Sequence, residues 1–248
     1  MLIKLIKHDL MAMSRLIAPL LIALLVISAA LGIDIRRQYS AESLGKITII
    51  LIILLIGLIS VAFFLIFILT IQRFRQNLFG NQGYLSFALP VSTAEHLVSK
   101  YVASILWTII ACAAALASFW IVFTLGIPSL ERRLGITLLD RLLQELELNT
   151  LTWKDMMQAV LVLFSSATEG IFHLYVSISV GHLWQKHSTI GSVLAFVVLS
   201  ILRSQLFFRL APVIPLTYSQ WSVCLALVIS FVYAFFSWLI LERSLNLE

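Results

Sequence analysis

Charge is scarce in this 248-residue chain. Only 12% of its residues are Asp, Glu, Lys or Arg, against 61% hydrophobic residues and a mean hydropathy of +1.04, which excludes an ordinary soluble domain. Helix breakers are scarce too: 10 glycines and 5 prolines leave long apolar runs uninterrupted. Runs of that length are too long for buried strands and require helices, whose backbone groups pair internally. The short segments of alternating apolar and polar residues that build a transmembrane barrel are missing. The two cysteines, Cys112 and Cys224, lie inside apolar runs, with no disulfide framework or metal spacing. A phosphate-binding loop is also missing: the nearest approach, from Ser40 to Ile47, lacks the first glycine and ends G-K-I. The spans hold no nucleophile with a base, no metal cluster and no clustered aspartates, so no enzyme activity is expected of the chain itself. Its net charge of +5 does not point to nucleic acid, because Lys and Arg fall mainly at the ends of apolar runs, as membrane-surface anchors do.

What remains is an all-α membrane protein forming a single transmembrane domain over 1–248. Residues 1–15 predict a basic interfacial helix, with Ile3, Ile6, Leu10 and Met13 on one face and Lys4, Lys7, His8 and Arg15 near the other. The stretch after Arg15 has no convincing small-residue cleavage site before Asp34, so the segment is expected to be retained. Six spans are expected, at 17–33, 47–72, 102–127, 157–181, 189–208 and 222–241. The second exceeds the ~20 residues that a bilayer core requires, so it tilts or projects. Arg203 interrupts the fifth, which must let the guanidinium snorkel or else stop short and re-enter.

Between the second and third spans, residues 73–100 read as a folded cytoplasmic elbow. Asn81 caps a short helix, Pro90 stops it, and Ser92 with Glu95 forms a capping box that starts the third span. Residues 128–155 read as an extracytoplasmic amphipathic segment, with Leu134, Leu138, Leu142 and Leu146 at helical spacing, and Thr152 with Asp155 caps the fourth span. An even number of spans puts both termini on one side, and the basic first helix places them in the cytoplasm.

The one acidic residue in the expected spans is Glu169, with His173 one turn further on. An ionisable group at that depth costs several kcal/mol unless paired. The two form either a substrate-cavity or proton-linked site, or a structural hydrogen bond from Glu169 to His173 or to a neighbouring helix. His182 and His187, five residues apart around Lys186, fit a solvated basic turn better than a metal site.

The elbow RFRQNLFGNQGYLSFALPVSTAEHLVSKYV, with its core G-Y-L-x-x-x-L-P-V-S followed by S-K, resembles a stretch of the permease subunits of type-two ABC exporters. LIKHDLMAMSRLIAPL and YVSISVGHLWQKHS also look like that family, so the resemblance covers most of the chain, although His182 stands where a glutamine is expected. The resemblance implies six spans with an N-terminal interfacial elbow, a second permease subunit, identical or a sister chain, and ATPase subunits that carry ATP and Mg, with no cofactor in this chain. It implies that Gln82, Gly83, Tyr84, Leu85, Phe87 and Leu89 form a coupling helix inserted into a groove of the ATPase subunit. It further implies a bacterial-type cell membrane and export of amphipathic or antimicrobial peptides, as in exporters of phenol-soluble-modulin-type toxins and bacteriocins. Two alternatives are a stand-alone ion- or proton-coupled carrier using Glu169, and a peptide-binding immunity or scaffold protein.

Overall fold

A computed structural model describes residues 2–37, 45–79, 92–134, 152–184, 187–210, 212 and 217–245. Six helices fill them: α1 (Leu2–Arg37), α2 (Lys46–Leu78), α3 (Thr93–Leu134), α4 (Trp153–His182), α5 (Ser188–Leu210) and α6 (Tyr218–Leu245). Each is long and apolar enough to cross a membrane, and the protein is a multi-pass membrane protein. Large apolar side chains such as Ile53, Leu116 and Phe231 are exposed along the helices, as a lipid solvent permits. Serines are reconciled with the apolar setting locally: Ser177, Ser179, Ser230 and Ser237 each donate to the carbonyl one turn back, on His173, Tyr175, Ala226 and Tyr233.

Three boundaries differ from the expectation. The expected interfacial helix at 1–15 and first span at 17–33 form one helix of 36 residues, because Arg15 carries no backbone break and Pro19 is accommodated within the helix. On the face expected to be apolar, Ile3 is 82% exposed, and burial becomes complete only from Met13 onward, through Ile17, Leu21 and Leu24. α5 continues through Arg203 to Leu210 without stopping short, so the re-entrant reading of the fifth span is set aside. The helices reach into the expected elbow at 73–100, since α2 runs to Leu78 and α3 starts at Thr93. The capping box stands as expected: the Ser92 amide donates to Glu95 Oε2 (3.1 Å) and the Glu95 amide to Ser92 Oγ (3.3 Å). Thr217 and Gln220 make a second box at the start of α6 that the sequence reading passed over.

The chain divides into two compact units. The first comprises 1–10, 68–105 and 153–248, with α4 packed against α5 and α6. The second half of α4 is buried almost all round, from Ile171 to Gly181, and Tyr175 at its centre stacks on Phe74 of α2 with ring centroids 4.1 Å apart. Leu97, Ile105, Ile178 and Leu241 complete that core, while Val176, Trp221, Leu225, Ile229 and Tyr233 form a second cluster. The other unit, 11–67 and 106–152, ties α1 to α2 through Thr48, whose hydroxyl donates to Asp34 Oδ2 at 2.7 Å.

The α4–α5 hairpin closes on glycine. A Cβ at Gly181 would stand 2.5 Å from Ser192 Cα and collide with the Ser192 amide, so backbone meets backbone there. Gly181→Ala is therefore expected to lower the unfolding stability of the detergent-solubilised protein by about 1–3 kcal/mol. Gly57→Ala, where a Cβ meets nothing within 4 Å, should stabilise α2 by up to ~1 kcal/mol through helix propensity. Thermal unfolding of both variants checks the contrast.

Candidate functional site

The first charged cluster begins with Asp9, which the sequence reading did not single out. It heads the buried stripe of α1, one turn before Met13, and is itself 1% exposed. Lys100 of α3, 5% exposed, brings its Nζ to 2.6 and 2.7 Å from the two Asp9 oxygens. The Ser99 hydroxyl donates to Asp9 Oδ2 at 3.5 Å, and Arg73 Nη1 of α2 stands 3.8 Å from Oδ1. One buried carboxylate thus holds two cations, which lie on either side of the α2–α3 connection. Removing a partner from such a group leaves an uncompensated buried charge.

A chain of hydroxyls continues inward. Thr70 Oγ1 donates to Ser104 Oγ (3.3 Å), Ser104 meets the Tyr175 hydroxyl (3.3 Å), and the Tyr101 hydroxyl meets Thr168 Oγ1 (3.0 Å). These bonds fix the ends of α2 and α3 to the middle of α4, where unsatisfied polar groups would be costly.

The second cluster centres on Glu169, 3% exposed. It turns to α5 rather than to His173: Arg203 Nε donates to Oε1 and Arg203 Nη2 to Oε2 at 3.0 Å. The guanidinium grips both carboxylate oxygens in the planar fork that suits it. Arg203, expected only as an interruption of the fifth span, is thus the basic partner of Glu169, because the α4–α5 hairpin brings together two residues 34 positions apart. His173, 6% exposed, makes its own contact one turn on, with Nε2 at 3.2 Å from the Phe196 carbonyl and 3.4 Å from Ser200 Oγ. Its ring lies between Phe196 and Tyr233, at centroid distances of 4.6 and 5.3 Å. Glu169 is thus bonded to a neighbouring helix and held in an ion pair.

The residues expected to couple to an ATPase subunit, Gln82, Gly83, Tyr84, Leu85, Phe87 and Leu89, lie outside the described residues. Their flanks are well anchored. On one side Phe79 stacks on the His182 ring at 4.3 Å and meets Phe74 edge-on at 6.0 Å, and on the other stands the Ser92–Glu95 capping box. Among the described residues no three His, Cys, Asp or Glu side chains gather as metal ligands. No family model, no curated protein and no solved structure matches the chain.

Proposed function

We propose that this chain is the membrane-spanning subunit of an ATP-driven exporter of the ABC type, working with a separate ATPase subunit and a second permease subunit. The observation that carries the reading is the G-Y-L-x-x-x-L-P-V-S segment between α2 and α3, together with the anchoring of its two ends. An elbow that takes up force from a partner must be firmly joined to the spans, and Arg73 and Lys100, flanking it, share the Asp9 carboxylate. In this reading both termini and the elbow are cytoplasmic, in a bacterial-type cell membrane. ATP closes the partner ATPase dimer and the elbow moves with it. The α2 and α3 ends then carry the displacement into the bundle, so that the two states differ in free energy through the partner's differential affinity for ATP. Amphipathic peptides are the substrate class, suited to a pathway walled by Leu, Ile, Val and Phe with few fixed polar contacts.

The Glu169–Arg203 pair weighs against the stand-alone carrier. Both oxygens of the carboxylate are taken up by one guanidinium, in a fork that joins α4 to α5 rather than facing a passing ion.

Affinity purification from the native membrane tests the proposal. An ATPase subunit is expected to come with the chain, with amphipathic peptides stimulating its hydrolysis; failure of any ATPase to co-purify under gentle detergent conditions would overturn the reading. Tyr84→Ala is expected to weaken the docking by about 2 kcal/mol, roughly thirtyfold, as removal of an aromatic anchor from an interface does. Co-purification of Tyr84→Ala at wild-type stoichiometry with normal stimulation would remove Tyr84 from the interface.

A further inference from the structure

Where α2 ends, its side chains form a stripe at helical spacing whose character changes along the axis. Ile68 and Ile71 are apolar, and Gln72, Arg75 and Gln76 follow on the same face. This stripe, continued by Phe79, lines a cleft of about 490 Å³ together with His182 at the end of α4 and Ser188 in the first turn of α5.

Three observations point to what fills the cleft. The first is depth. The 26 residues from Ile47 to Gln72 carry no charge. At 1.5 Å per residue they cover about 39 Å, enough to cross the ~30 Å of a hydrocarbon core, and the first charges after them, Arg73 and Arg75, mark the headgroup end of α2, with Ile71 and Ile68 on its acyl side. Trp184, 56% exposed in the neighbouring α4–α5 turn, is the kind of amphipathic ring that marks this level. The second is charge. Among the described residues no carboxylate pairs with Arg75, whereas Arg73, two positions earlier, is committed to Asp9. The third is the polar complement around that cation: two glutamine amides and the first turn of α5, where helix amides lack intrahelical partners.

We propose that this cleft binds an anionic phospholipid, with its phosphate on Arg75 and the first turn of α5 and its acyl chains along Ile71 and Ile68. A free anion would use the polar end and leave the apolar floor idle. A zwitterionic lipid would bring its own cation against Arg75.

The test is lipid retention by the purified full-length chain in detergent, read by native mass spectrometry with added phosphatidylglycerol or phosphatidylcholine. It requires no ATPase partner, so its failure is separable from failure of the exporter reading. Phosphatidylglycerol is expected to be retained in preference to phosphatidylcholine. Arg75→Gln should weaken phosphatidylglycerol binding about fivefold while leaving phosphatidylcholine unchanged. Arg209→Gln, at the other end of α5, should behave as wild type. If Arg75→Gln does not fold, Gln76→Glu sets a negative charge against the phosphate and should give the same loss. Equal retention of the two lipids, wild-type phosphatidylglycerol binding in Arg75→Gln or Gln76→Glu, or displacement of the lipid by millimolar inorganic phosphate would overturn the proposal.

Discussion

Asp9→Asn is expected to lower the unfolding stability of the solubilised protein by about 3–5 kcal/mol, because it strands a buried ammonium without its counter-charge. The size follows from geometry. Lys100 is 5% exposed and places its Nζ within 2.7 Å of both Asp9 oxygens, and asparagine keeps the shape of the site while removing only the charge. The converse change should be milder. Lys100→Met leaves the Asp9 carboxylate with Arg73, whose Nη1 is 3.8 Å away on a side chain 23% exposed and free to close in. The double variant Asp9→Leu with Lys100→Met should return to within ~1–2 kcal/mol of the wild type, since an apolar pair of similar volume carries no desolvation cost. Denaturant titration of the three variants measures the order directly. Losses below ~0.5 kcal/mol in both single variants would mean that the cluster is wet and contributes no more than an exposed surface pair.

The same cluster shows how far the sequence could be read. The six spans were legible because run length and hydropathy alone set them, and the Ser92–Glu95 box because its partners are three residues apart. Asp9 was hidden among Lys4, Lys7 and His8, where one more charge looked like part of a solvated face. The available signal was period: Asp9, Met13, Ile17 and Leu21 recur every four residues, and that stripe is buried. The continuity of α1 escaped because a change in composition at Arg15 marks a change of environment, not a break in backbone hydrogen bonding. The coupling residues from Gln82 to Leu89 remain readable only through the motif they resemble and through the anchored ends on either side of them.

Arg203 was legible as an anomaly and misread as an interruption. Glu169 lies 13 residues before the end of α4 at His182, and Arg203 lies 15 residues after the start of α5 at Ser188, so an antiparallel hairpin sets the two at the same depth. Opposite charges equidistant from a short turn are a pairing signal. The pair is lopsided, however: the Arg203 side chain is 43% exposed and that of Glu169 is 4% exposed. The two single substitutions should therefore differ. Arg203→Met leaves a carboxylate buried without a counter-charge and is expected to cost about 3 kcal/mol or more. Glu169→Gln leaves a cation that can extend towards an interface on its long stem, and should cost only ~1 kcal/mol. Thermal unfolding of both variants, with Glu169→Gln plus Arg203→Met as the closing corner of the cycle, gives the coupling between them. Transport read on the same set separates structure from function. If the pair only fastens α4 to α5, Glu169→Gln should export peptide at close to the wild-type rate while Arg203→Met loses folded protein. Abolished export by a normally folded Glu169→Gln would make the carboxylate itself part of the pathway.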